Sequence, residues 1–394
     1  MNIIKKAAKQ RIIIIGAGST GLATALEIAK VDDSEVIILE KNYVGSGQTG
    51  QCCGFVRTFY NSKEMIFSAH ESMKQIQKIC AMEPNLKYVK KGLLVIDYLK
   101  NKDAIKNNIK LMQQEGINVR YLEELEINEI YPNIKINGIC AGFDEDAGYV
   151  NPQIVINYLE RECKKLGVKI FEKTKVVDIK TKNGQFNIKT TNGNFKADKL
   201  FNATAGYTNN INKMMNFNLP IKTIKINNTF YRLPLGLNKC LIAIADFVNH
   251  FYVIPHKDFI DVSSIVLDLK QEVDLEKDKV IFNQDVIDCY LEIVSKRIKG
   301  SEKSATLGGF SSHIDISPDY YPILSKIDEI PNYYCAAGFS GTGFKHFPMI
   351  GKLMKEIILD EKYTYPELVS FFRYNRFKKK QLRKNISDSY FINK

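Results

Sequence analysis

The stretch "IIIIGAGSTGLATALEIA", Ile12 to Ala29, decides the fold. Ile12–Ile15 is a continuous β-branched run, the signature of a strand buried on both faces. Gly16, Gly18 and Gly21 follow in the spacing G-x-G-x-x-G, and Leu22, Leu26 and Ala29 then recur at helical intervals. Val36–Leu39 reads as a second buried strand ending in the acid Glu40. Together these form a βαβ unit. Gly16 permits a tight turn, Gly18 lets a pyrophosphate approach the backbone, and Gly21 lets the helix pack against the strand. The helix N-terminus, at Ser19 and Thr20, offers N–H groups to phosphate, and Glu40 can accept from a ribose hydroxyl. The pattern predicts a dinucleotide site.

Outward from this unit the composition narrows the possibilities. The 394 residues are 45% apolar and 25% charged, enough for two domains or one composite one. The formal charge of +12 comes mostly from scattered lysines, with one cluster at Lys378-Lys379-Lys380. No basic helix or aromatic-basic repeat appears, which argues against nucleic acid as a partner. The eight cysteines include no CxxC pair, and adjacent Cys52 and Cys53 cannot form an unstrained disulfide. Reduced thiols and a cytoplasmic location are expected. The five histidines form no HxxH or HExxH pattern, so no metal site is expected. Glycines interrupt the apolar N-terminal run, and no run of 18 apolar residues exists, so neither a signal peptide nor a membrane span is expected.

Further along, the spacing predicts helices over 62–80 and 101–115 and a strand from Tyr88 to Asp97. "DAGYVNP" at 146–152 sets up a helix with Asn151 as cap and Pro152 at its first position, ended by Gly167. Asn183-Gly184 and Asn192-Gly193 mark hairpins of an antiparallel meander that runs into "NATAG" at 202–206. Residues 219–270 read as strands and 276–298 as a helix. "SPDYYPIL" at 317–324 enters a strand. A further strand, a glycine loop and a helix follow from Asn332. With no linker visible, a nucleotide fold assembled from distant segments is the expectation.

The order of these pieces resembles the D-amino-acid oxidase superfamily of FAD enzymes, in its branch of sarcosine oxidases, dimethylglycine dehydrogenases and glycine oxidases. The resemblance rests on "IIIIGAGSTG", "ILEKNYVGSGQTG", "DEDAGYVNP", "TKVVDI", "NATAG", "SPDYYPIL" and "AAGFSGTGFK", and spans Ile12 to Lys345. It implies an α/β fold: a Rossmann-like FAD-binding domain of the glutathione-reductase type at 10–85, 140–215 and 305–394. A substrate domain built on an antiparallel sheet would occupy 86–139 and 216–304. It also implies cofactor contacts from Glu40 and Lys41, from Gly47, Gln48, Thr49, Cys52 and Cys53, from the backbone at Val176, and from Ala205-Gly206. Gly338, Gly341, Thr342, Gly343 and Phe344 would line the flavin ring, with the helix after them turning its positive end toward the pyrimidine side.

In the same comparison, Arg57 and Lys345 stand where relatives hold the substrate carboxylate. An arginine fork matches a carboxylate bidentately, and a lysine adds a point charge. Tyr252 and His256 fall in the segment that faces substrate. The places where some relatives attach flavin covalently hold Gln51 and Ser312. Neither can form that bond, so non-covalent FAD is expected, although Cys52 and Cys53 lie beside Gln51. The oxygen-activating lysine of sarcosine oxidases would fall in "DFIDVSS", which has no lysine. The resemblance therefore implies a dehydrogenase that takes a hydride from the carbon beside a neutral amine to flavin N5, with a small carboxylate-bearing amine as substrate. Its electron acceptor would be a quinone or an electron-transfer protein. A 2-hydroxy-acid dehydrogenase and a flavin-bearing subunit of a larger complex are the alternatives. The basic tail at 372–384 is the candidate contact for an acidic carrier or for the inner face of a membrane.

Overall fold

The computed structural model describes residues 9–237, 241–379 and 382. Cys240 and residues 380, 381, 383 and 384 of the basic tail lie outside the described residues; in the described part of that tail Arg376 is buried on Asp319, and Arg373 and Lys378 pair with Asp328 and Glu329. The chain divides into two compact units. One combines Met1–Gln51, Pro152–Ile221 and Asp315–Leu382, and the other combines Cys52–Asn151 with Lys222–Ile314.

The first unit is built on a six-stranded sheet in the order Ile323–Lys326, Tyr333–Ala337, Lys199–Asn202, Arg11–Ile15, Glu35–Leu39, Lys169–Phe171. All neighbours run parallel except the edge strand Ile323–Lys326. The isoleucine run is central because both its faces are covered. Ile13 and Ile15 pack with Ile179, Phe186 and Ile188 of the meander Val176–Lys182, Gln185–Thr190, Gly193–Ala197. On the crossover side, helix Ser19–Ala29 packs on helix Gly343–Leu359, where a Cβ on Gly351 would meet the backbone of Ala23 at 2.9 Å. Each such fully buried isoleucine is worth roughly 1.5–3 kcal/mol.

The second unit carries an eight-stranded sheet in the order Ala305–Ile316, Lys222–Arg232, Ile260–Ser264, Phe251–Pro255, Ala243–Asp246, Leu93–Tyr98, Ile139–Asp144, Val119–Leu122. One pairing inside the expected antiparallel sheet, Ala243–Asp246 with Leu93–Tyr98, is parallel. Alternation splits the strands between two cores. Leu94, Ile96, Ile244, Val253 and Val262 face helix Asp285–Ser295, and Leu93, Val95, Ala243, Ala245 and Ile254 face the opposite way. Strand Gly148–Tyr149 pairs with both Phe55–Val56 and Val89–Lys90 in a small separate sheet.

The boundaries of the units differ from the expected ones. Residues 52–85 and 140–151 fold with the second unit. Phe55–Val56 is paired there, and Ile66 of helix Lys63–Met82 packs on Ile105, Ile109 and Met112 of helix Lys102–Gln114. Residues 305–314 belong to the edge strand of the large sheet, while Leu219 and Ile221 pack in the first unit. Two element expectations are also corrected. The strand expected over 88–97 is split at Gly92, whose φ of +69° breaks the extended run and makes room for the Phe143 ring. The helix expected over 276–298 spans only Asp285–Ser295, because Ile281 is exposed and Val280-Ile281-Phe282 does not continue the stripe of Ile287 and Val294.

Candidate functional site

In the first unit the glycine turn is a steric requirement. A Cβ on Gly16 would stand 2.6 Å from the Ala203 carbonyl oxygen, and one on Gly21 would stand 2.0 Å from the Gly16 carbonyl. Gly18 begins helix Ser19–Ala29 without a side-chain cap, and the first turn holds no acid. The Ser19 N–H donates to Thr49 Oγ1 at 3.1 Å, which folds the 45–50 loop back over the helix start. Glu40, expected to meet a ribose, also braces the turn: its two oxygens accept the N–H groups of Ala17 and Asn42, each at 2.9 Å. Lys41 Nζ stands 3.1 Å over the Tyr207 ring. A Cβ on Gly47 would meet nothing within 4 Å. Gln48 Nε2 is buried beside Asp315, near enough to lower its pKa but outside hydrogen-bond geometry.

Two supports here rest on partners that the sequence does not indicate. Asn202 donates to Tyr333 at 3.0 Å and to Asn212 at 3.2 Å, while accepting from the Thr204 hydroxyl at 2.6 Å. This buried knot fixes the turn that puts Ala205 at φ +51° next to Gly206. Asp315, 1% exposed, accepts the Gly338 N–H at 2.5 Å and so pins the glycine loop. Burial pushes its pKa up, and the N–H groups of Gly338 and Phe339 oppose that shift. Side chains are excluded at Gly338 by Ser317 at 2.9 Å, and Gly343 is crowded by the Phe339 ring at 3.1 Å. The Thr342 hydroxyl closes the loop onto the Phe339 carbonyl at 2.7 Å, Gly341 takes φ +79°, and Phe344 packs on Phe347. Lys345 is buried at the helix start and donates to the Gly341 carbonyl at 3.1 Å. Val176 is buried beside a register shift in the meander.

In the second unit Arg57 follows strand Phe55–Val56 and is half-buried. Its guanidinium donates to the Phe59 carbonyl, stands within electrostatic reach of the Tyr252 hydroxyl, and lies on the Tyr60 ring with the guanidinium carbon 4.2 Å from the centroid. Its other N–H groups have no partner among the described residues. Burial acts to lower the Arg57 pKa, but Tyr252, Tyr60 and Asp144 outweigh it and the net shift is upward. Burial raises the pKa of both tyrosines. The cation is thus permanent and oriented, and it is open to one more acceptor.

The sheet therefore joins Arg57 with Tyr252 across 195 positions of sequence. Lys345 belongs to the other unit. His256 makes a different set of contacts: its ring stacks on Phe259 at 4.5 Å and tilts against Tyr149 at 4.8 Å, and burial lowers its pKa. Cys52 and Cys53 are half-buried thiols outside any disulfide, and Cys53 packs with Tyr252 against the Leu93–Ala245 face. Ser312 is buried and Gln51 exposed. In the strand without a lysine, Asp261 is buried and accepts from Asn228 at 2.9 Å, while Lys257 and Asp258 are exposed.

A family model described as FAD dependent oxidoreductase matches residues 11–357. Peroxisomal sarcosine oxidase of Mus musculus is 24% identical over 386 residues, covering 93% of this chain and 95% of that protein. Sarcosine oxidase subunit beta of Rhodobacter capsulatus is 23% identical, covering 94% of this chain and 89% of that one. Among solved structures, L-proline dehydrogenase from P. horikoshii superposes with a TM-score of 0.84 at 24% identity, covering 95% of this chain and 99% of that chain. The cradle at Gly16, Gly18 and Gly21, closed to any side chain at Gly16 and Gly21, fits the dinucleotide that this family carries.

Proposed function

The chain belongs to the family of FAD dependent oxidoreductases, and from that premise we propose that it oxidises the C–N bond of a small amino acid or N-methyl amino acid. Arg57 carries this reading. It is a half-buried, oriented guanidinium with N–H groups unassigned among the described residues, and a planar carboxylate is the acceptor its fork matches. The relatives named sarcosine oxidase and L-proline dehydrogenase support an amine-bearing substrate.

In this proposal Arg57 binds the substrate carboxylate, and Tyr252 and Tyr60 hold its plane so that the bound acid has one orientation. Lys345, buried and tied to Gly341, is the candidate second cation. Gly16, Gly18, Gly21, Glu40 and Lys41 would hold the dinucleotide half of FAD, and the Gly338–Phe344 loop its ring. When bound, FAD supplies the two-electron acceptor. The amine must be neutral for oxidation, and the apolar wall of Cys53, Phe55 and Ala245 disfavours its charged form. The imine product is then open to hydrolysis.

Two finer points belong to the same proposal. FAD is held without a covalent bond, because Gln51 and Ser312 cannot form one. The enzyme acts as a dehydrogenase, because strand Ile260–Ser264 carries Asp261 and no lysine. The deciding experiment is anaerobic bleaching of the flavin by a panel of amino, N-methyl amino and 2-hydroxy acids. Bleaching by amino or N-methyl amino acids supports the reading. Bleaching by 2-hydroxy acids alone replaces it with the hydroxy-acid alternative.

A further inference from the structure

Asp144 ends strand Ile139–Asp144 and has no exposed surface. Its Oδ2 accepts both the backbone N–H and the hydroxyl of Thr58, each at 2.8 Å. Its Oδ1 is buried with no hydrogen-bond partner among the described residues. Buried carboxylates normally draw a cation into contact. Asp144 has no ion pair among the described residues, yet Arg57, the neighbour of Thr58 in the chain, lies within Coulombic reach of it. The two charges feel each other without touching. Thr58 keeps the carboxylate turned to the backbone, while Phe59, Tyr60 and Tyr252 hold the guanidinium. A direct ion pair would fill the arginine fork. This arrangement leaves the fork open with a carboxyl behind it; burial pushes that carboxyl's pKa up, the Thr58 hydrogen bonds and the Arg57 cation oppose the shift, and it is a negative charge at any pH above its raised pKa.

We infer that Asp144 is a positioning residue with two effects on Arg57: it anchors the segment that carries the guanidinium, and it weakens that cation's pull on a bound carboxylate. The inference rests on Arg57 being the carboxylate site. Its sign is unusual, since neutralising a buried side chain of the site is expected to tighten binding. Asn at position 144 keeps an oxygen for Thr58, removes the charge, and puts an NH2 group where Oδ1 stood. A purely structural carboxylate would give the opposite result or none.

The test is calorimetric titration of the FAD-loaded protein with propionate, and with propionamide as the neutral control. Asp144→Asn is expected to bind propionate about 3- to 30-fold more tightly than the parent, with propionamide unchanged. In an Arg57→Gln background the gain should disappear. Unchanged or weaker propionate binding in Asp144→Asn, or an equal gain for propionamide, overturns the inference. If Asn does not fold at this position, Asp144→Ser repeats the test. If neither neutral variant folds, the charge serves the fold and the inference fails. A separate result concerns the premise: if Arg57→Gln alone binds propionate as well as the parent, the carboxylate site lies elsewhere and both readings fall.

Discussion

The guanidinium carbon of Arg57 lies 4.2 Å from the centre of the Tyr60 ring, and the hydroxyl of Tyr252, on a strand of the large sheet, stands within electrostatic reach of the same guanidinium. Arg57 is therefore fixed by two aromatic residues from different parts of the chain. Arg57→Ala should slow substrate-driven flavin reduction about 30- to 1000-fold, the roughly 2–4 kcal/mol of a charge-assisted contact in a closed site. Tyr252→Phe removes a hydroxyl dipole that faces the cation and should lose less, about 3- to 30-fold. Flavin content should stay near one per chain in both. Stopped-flow reduction rates equal to the parent's in both variants would end the carboxylate assignment.

Gly21 and Gly47 make a matched pair. A methyl group at Gly21 collides with the Gly16 carbonyl, whereas one at Gly47 meets nothing within 4 Å. Gly21→Ala should emerge without bound flavin and with a lowered melting temperature, and Gly47→Ala should keep the parent's melting temperature. Visible absorbance of the purified proteins and a thermal melt check this. A yellow Gly21→Ala protein would mean that the turn tolerates what its geometry forbids.

Asp261 should make stability depend on pH. Burial pushes its carboxyl up to about 6 against an opposing hydrogen bond from Asn228. A carboxyl raised by folding favours the folded state when protonated. That contribution is complete below the ordinary value near 3.8 and is lost as pH rises through 6. Asp261→Asn, which cannot ionise, should therefore gain on the parent between pH 4 and pH 7.5 by about 2 kcal/mol. Parallel melts at the two pH values measure the change, and a difference independent of pH refutes it.

FAD should separate from the denatured chain. Acid precipitation of the yellow protein is expected to leave the colour in the supernatant. Colour retained in the pellet would point to Cys52 or Cys53, the half-buried thiols beside Gln51.

Oxygen should be a poor acceptor. A cation beside reduced flavin stabilises the superoxide formed in the first electron transfer, and strand Ile260–Ser264 has no lysine to supply one. Turnover with an artificial dye or quinone should exceed turnover with air by about an order of magnitude or more. Substrate-reduced protein mixed with aerated buffer reports this directly. Reoxidation as fast as dye-coupled turnover would show an oxidase.

The sequence by itself determined the nucleotide cradle. Strand, glycine turn, helix and acid are consecutive from Ile12 to Glu40, so local sterics and a period of buried residues specify them without help from the rest of the chain. Gly338, Gly341 and the start of helix Gly343–Leu359 were legible for the same reason. Only the tertiary structure decided what supports these pieces and where the chain divides. Asp315 reaches the Gly338 N–H from 23 residues away, and Asn202 meets Tyr333 from 131 away. Thr58 meets Asp144 across 86 residues; Asn202 and Asp144 stand inside recognisable motifs, but nothing local in the sequence names the partner of any of these residues. Helix Lys63–Met82 was visible as an amphipathic stripe, but which unit it joins depended on Ile66 finding Ile105 and Ile109. Local pattern fixes backbone conformation. Which distant surfaces satisfy a buried polar group or cover an apolar face is a property of the packed chain, because any of many similar residues could fill that role until the sheets bring one of them within reach.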